Sequence, residues 1–110
     1  MKKRHWCLVV LLAPLFLLGQ SAELRGTVRD SDGVGVPNAD IELRNQESGE
    51  RLKAQTSEEG EFRVVGIKAG VYQATVQAKG FRSLTRDDIR VKPQEQVLLN
   101  LILQTSIPMH

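Results

Sequence analysis

Residues 62–81 read FRVVGIKAGVYQATVQAKGF, two short alternating runs divided by Gly66, Gly70 and a polar turn. In the second run Tyr72, Ala74, Val76 and Ala78 fall on one side, and Gln73, Thr75 and Gln77 on the other. A period of two sends one set to a core and the other to water, as a strand with one wet face requires. No helical period longer than a turn follows the N-terminal segment, so the stretch predicts an all-β chain.

Toward the N terminus, Leu24, Gly26 and Val28 alternate with Arg25, Thr27 and Arg29 as far as Asp30, Ser31, Asp32 and Gly33. That cluster can supply the Asx-type hydrogen bonds and the positive φ that reverse a chain. Pro37 lacks a backbone donor and suits a strand start or an edge. Ala39, Ile41 and Leu43 form the second alternation, and residues 45–51 loop around Gly49. A third strand is predicted over residues 52–57, then a turn ending at Gly60, then a fourth strand with Phe62 and Val64 inward. Toward the C terminus, Gly80 turns the chain and returns the Phe81 ring to the core. Residues 82–90 are mostly polar, with Leu84 and Ile89 as anchors, and predict a partly irregular strand. Val91 and Pro93 lead to a last strand in which Val97, Leu99, Leu101 and Leu103 share a face. Seven short strands about ten residues apart, divided by glycine and aspartate turns, predict a seven-stranded antiparallel Greek-key β-sandwich. It occupies residues 23–104 as one domain, and residues 105–110, with Pro108, read as a loose tail.

The first 22 residues differ in kind. Lys2, Lys3 and Arg4 precede an apolar run over residues 6–18, and Gly19, Gln20, Ser21 and Ala22 supply a small-residue exit. These are the parts of a secretory signal peptide, with a helical apolar centre. The run has 13 residues, and a spanning helix needs about 20, so no permanent membrane anchor is expected. A lipid anchor needs a cysteine at the end of the run, and Cys7, the only cysteine, sits at its start, which disfavours lipidation. Cleavage after Ala22 is the first expectation, and the pair Gly19 and Ser21 offers a second bond. The chain is then expected in the periplasm, at the cell surface or outside the cell. Loss of three basic residues turns a formal charge of +2 into −1, which does not suggest a nucleic-acid partner.

Histidine decides most of the catalytic question. His5 lies in the leader and His110 is terminal, so the predicted fold holds neither an imidazole nor a cysteine. No nucleophile and base can be paired, and no catalytic, cofactor or metal-binding residue is nominated. Asp30 and Asp32 suggest calcium, but two carboxylates fall far short of its usual six or more ligands. Glycan binding needs exposed aromatic faces or a polar groove, and Phe62, Tyr72 and Phe81 all fall toward the core or its rim.

The series Gly26, Val28, Asp30, Gly33, Val36, Pro37, Ala39, Ile41 and Leu43, followed by Thr56, Gly60, Phe62, Gly70, Tyr72, Val76, Gly80 and Phe81, resembles the carboxypeptidase regulatory-like domain. That resemblance implies a transthyretin-like (prealbumin-like) sandwich, grouped with the carbohydrate-binding-like folds, and a non-catalytic accessory module. It makes a protein-binding or structural role the first expectation and carbohydrate binding the alternative. The expected partner is another exported or envelope protein, with a glycan in second place.

One feature of the last strand stands apart. Leu98 and Ile102 flank Asn100 on the side opposite Leu99 and Leu101, so the strand is apolar on both faces. Either loops or neighbouring strands bury that second face, or Leu98, Asn100 and Ile102 form an exposed strip that meets a partner.

Overall fold

The computed structural model describes residues 21–106. The leader helix expected over the first residues and the end of the tail lie outside the described residues. Seven strands follow in order, β1 (Ala22–Asp30), β2 (Asp40–Asn45), β3 (Arg51–Gln55), β4 (Glu61–Ile67), β5 (Gly70–Gln77), β6 (Leu84–Val91) and β7 (Gln96–Leu103). They form a three-stranded sheet of order β4-β1-β7 and a four-stranded sheet of order β3-β2-β5-β6.

The period-two pattern explains what lies between the sheets. Leu24, Val28, Phe62, Ile67, Leu99, Leu101 and Leu103 come from the first sheet. Ile41, Leu43, Tyr72, Ala74, Val76, Ile89 and Val91 come from the second, and all of these are buried. Burying each large aliphatic side chain contributes about 1.5–3 kcal/mol. The Tyr72 ring is buried while its hydroxyl donates to the Lys68 carbonyl at 2.8 Å, so the polar tip is satisfied at the rim.

The expectation of a wholly antiparallel sandwich is corrected at one pair. β1 and β7 run parallel, from Glu23 beside Gln96 to Asp30 beside Leu103. A parallel pair cannot be closed by a hairpin, and here the whole domain lies between its two strands. The other four pairings are antiparallel.

β6 is a full strand with the predicted irregularity confined to a bulge. Its register with β5 shifts between Tyr72 and Ala74, Asp88 takes a φ of 56°, and Gln73 donates to the Asp87 carboxylate at 2.8 Å. Bulges of this kind bend a strand and interrupt its ladder.

Residues 105 and 106 are not loose. Thr105 bridges Phe81, the Arg82 amide donates to the Gln104 carbonyl at 2.8 Å, and the Ser106 amide donates to Gly80 at 3.0 Å. The half-buried Phe81 packs on the core beneath this crossing. At the other end Ala22, read as the last leader residue, starts β1 opposite Ile67 and is buried.

The irregular link between β1 and β2 is held by Thr56, a buried threonine just after β3. Its hydroxyl accepts from the Ala39 amide at 2.8 Å and donates to the Val36 carbonyl at 2.7 Å. Thr56→Val keeps the shape and leaves both backbone groups unpaired. It should cost about 1–3 kcal/mol, read as a lower urea midpoint at unchanged slope. A loss under a few tenths would show that water replaces the hydroxyl.

Candidate functional site

The outward residues of the three-stranded sheet lie in rows fixed by register. Arg63 of β4, Arg25 of β1 and Leu98 of β7 form one row. Glu61, Thr27 and Asn100 form the next, and Arg29 stands beside Ile102 in the last. Leu98 is 68% exposed and Ile102 57%. The possibility that loops or a central position bury the second face of β7 is therefore removed, since β7 is the sheet's edge among the described strands. Between the two apolar side chains, Asn100 Oδ1 accepts from Thr27 Oγ1 at 3.0 Å, which fixes one side of its amide.

An open depression of about 610 Å³ runs beside this strip, bordered by Leu98, Arg25, Thr27, Arg63, Phe62 and Gln55. Two of the bordering arginines meet Glu23, which accepts from Arg63 Nε at 2.6 Å and stands 3.8 Å from Arg25. The Arg63 hydrogen bond, helped by the charges of Arg63 and Arg25 and opposed by partial burial, holds the Glu23 carboxyl below its ordinary range. The Arg63 guanidinium is raised in return by Glu23. A depressed folded-state pKa adds stability that is present above the unfolded value and lost as pH falls through the folded one. Glu23→Gln should therefore lower the melting temperature slightly at neutral pH and leave it unchanged at low pH, which flattens the acid limb; the drop is small because the Arg63 side chain is largely exposed. An acid limb identical in both proteins would assign acid sensitivity to other carboxylates.

A second, smaller depression of about 360 Å³ lies on the outer face of the four-stranded sheet, lined by Asp40, Glu42, Lys53, Ala54, Thr75 and Gln77. It is polar and has no aromatic ring among its walls.

The remaining residues singled out in the sequence lie in turns, links and strand contacts. Asp30 Oδ1 accepts from the amides of Asp32 and Val34, both at 2.9 Å, and Gly33 takes a φ of 85°, so the carboxylate closes its own turn. Among the described residues no three His, Cys, Asp or Glu side chains gather as a metal site. Pro37 lies exposed in the link to β2, just before Asn38 with its φ of 56°. Gly70 starts β5 against the Asn45 side chain, and Gly80 turns toward Phe81 with a φ of 89°. Gly26, Gly60 and Phe62 lie where β1 meets its neighbours. Thr56, Asn45 and the Glu23–Arg63 pair escaped sequence reasoning as positioning groups, because their partners are distant in the chain or depend on register. Asn45 alone carried a local signal, its Oδ1 accepting from the amides of Glu47 and Ser48 two and three residues on.

Two facing sheets, turns closed by their own side chains and one apolar outer strip define a small β-sandwich domain. The chain belongs to the carboxypeptidase regulatory-like domain family, which it matches over residues 23–104. Halomucin from Haloquadratum walsbyi is 28% identical over 89 residues, which is 81% of this chain and 1% of that protein. Catechol 1,2-dioxygenase from Acinetobacter radioresistens superposes with a TM-score of 0.66 at 14% identity, covering 80% of this chain and 53% of the enzyme. A Bacteroides uniformis protein proposed to bind carbohydrate superposes with a TM-score of 0.63 at 18% identity, covering 74% and 40%. The chain thus spans less than two thirds of each, and at such identities the two structures share its fold alone.

Proposed function

We propose that this chain is an exported, non-catalytic β-sandwich module that binds another protein through the outer face of β7. The observation that carries this reading is the exposure of Leu98 and Ile102, on either side of Asn100, on an edge strand. Exposed apolar residues grouped on one face mark contact surfaces more often than scattered ones do, and an open strand edge adds a ladder of backbone donors and acceptors. Membership of a regulatory-like family supports an accessory rather than a catalytic role. Taken around the body, β2, β3 and β4 are neighbours and β1 returns beside β4, an order that supports the Greek-key, transthyretin-like reading of the sandwich.

A photo-crosslinking residue placed at Leu98 in the producing cells tests the reading, with Thr75 on the opposite sheet as control. Protein adducts at position 98 and none at 75 are expected. Adducts at neither position would remove β7 as a contact surface.

Export supplies the address, in the periplasm, at the surface or outside the cell. Burial of Ala22 opposite Ile67 favours cleavage after Ser21 over cleavage after Ala22, since the first keeps this residue in β1. N-terminal sequencing of the exported chain reads the bond directly.

Carbohydrate binding is the second reading, favoured by the polar depression between Asp40, Glu42, Lys53 and Thr75 and by the fold shared with the Bacteroides protein. Phe62 and Tyr72 are buried and Phe81 half-buried, which withholds the flat aromatic platforms that sugars stack on. Titration with cell-wall polysaccharides should show no saturable binding if β7 is the working surface. Saturable binding lost in Glu42→Gln would reverse that order.

A further inference from the structure

The two sheets have four edges, and three of them carry devices that discourage pairing with another chain. β3 is only five residues long and bears Arg51 and Lys53. β4 bears Glu61 and Arg63 and kinks at Gly66, whose φ is 70°. β6 is bulged at Asp88, and its register turns Arg86 toward the same face as Ala74. β7 has none of these. Its eight residues, QVLLNLIL, include no charge and no proline, and its register with β1 is unbroken.

The direction of its backbone groups follows from one hydrogen bond. The Glu23 amide donates to the Glu95 carbonyl at 3.0 Å, while Glu23 stands beside Gln96. In a parallel ladder the odd-numbered residues of this strand therefore turn their amides and carbonyls toward β1. Leu98, Asn100 and Ile102 turn theirs to the open edge, where no described strand meets them.

The sequence of β7 is also mirror-symmetric in chemistry about Asn100, with Leu99 and Leu101, Leu98 and Ile102, and Val97 and Leu103 at equal distances from it. We infer that the occupant of this edge is a second copy of the same chain, paired antiparallel about Asn100. In that register Leu98 of each copy faces Ile102 of the other, and Asn100 faces Asn100. The residues at positions 98, 100 and 102 form hydrogen-bonded pairs, so about six backbone bonds close the ladder. The two three-stranded sheets become one sheet of six, and the exposed apolar residues cover each other across the junction, as cross-strand pairs do. A shift by two residues sets Asn100 against Leu98 or Ile102, and the shift by four that sets it against Gln96 leaves Ile102 with no residue of β7 opposite. The inference rests on the reading of β7 as a protein contact surface and names its partner.

Sedimentation equilibrium of the exported full chain should show a monomer–dimer equilibrium. Leu98→Lys combined with Ile102→Lys sets like charges opposite each other twice and should weaken the dimer at least about tenfold. Leu98→Lys combined with Ile102→Glu sets opposite charges in the same places and should restore most of the affinity, in a salt-sensitive way. Hydrogen exchange in the unaltered chain gives a second readout independent of the variants. Protection of the Leu98, Asn100 and Ile102 amides should rise with protein concentration while that of Leu99 and Leu101 stays constant. A monomer at every concentration, or equal affinities for the two double variants, would overturn the self-pairing. If the unaltered chain is monomeric and position 98 still crosslinks to a different protein in cells, the contact surface stands and only its occupant is wrong. Absence of both signals removes both.

Discussion

Gly26→Ala should cost at least about 3 kcal/mol of folding stability, at the upper end of what overpacking a core produces. A Cβ at this position would stand 1.6 Å from the Leu99 carbonyl oxygen and 2.5 Å from its carbon. Both are backbone atoms of the neighbouring strand, so no side-chain rotation relieves the contact. β7 would have to move away from β1, weakening the parallel ladder and loosening Leu99 and Leu101 in the core. Small domains are stable by about 5–15 kcal/mol, so the loss would remove a large share of the total. Urea unfolding measures it as a displaced midpoint. A change below about 1 kcal/mol would mean that the two strands part without penalty, and the close approach would then have no role in the fold.

The second large effect is expected at Gly60, in the turn between β3 and β4. Its φ is 82°, and an added Cβ would meet the Val28 carbonyl oxygen at 2.5 Å, the Val36 nitrogen at 2.8 Å and the Gly35 Cα at 2.9 Å. The turn is pressed onto β1, where the Val28 amide donates to the Gly60 carbonyl at 2.7 Å. Gly33 is the natural control, because its φ is 85° and nothing lies within 4 Å of its missing Cβ. Gly33→Ala should lose only the cost of the left-handed conformation, about 1–2 kcal/mol. Gly60→Ala should lose that and the overpacking term together, about 3 kcal/mol or more. Equal losses at the two sites would show that backbone conformation alone explains the glycine at 60.

These two glycines also show how much of the site was legible. Both belong to the series on which the family resemblance rests, yet the spacing of residues says nothing about which glycine is required for conformation and which for clearance. Asp30 was legible as a turn former because its two acceptor contacts are with amides two and four residues on. Thr56 was not, because its partners at Val36 and Ala39 lie across a loop and a hairpin. The strip of Leu98, Asn100 and Ile102 was visible as a pattern, but the same pattern suits a strand buried on both faces.

The linear order of side chains determined the seven strands, the inward and outward faces of most of them and the turns that separate them, because alternation and Asx hydrogen bonding act over a few residues. Only the tertiary structure decided that β1 and β7 run parallel, that residues 105 and 106 are tied to the bend at Gly80, and that β7 is an edge. Each of these depends on which distant strand becomes a neighbour. A strand's alternation is identical whichever direction its partner runs and whether it has one partner or two, so the difference between a buried leucine and an exposed one at position 98 is not written in the strand itself.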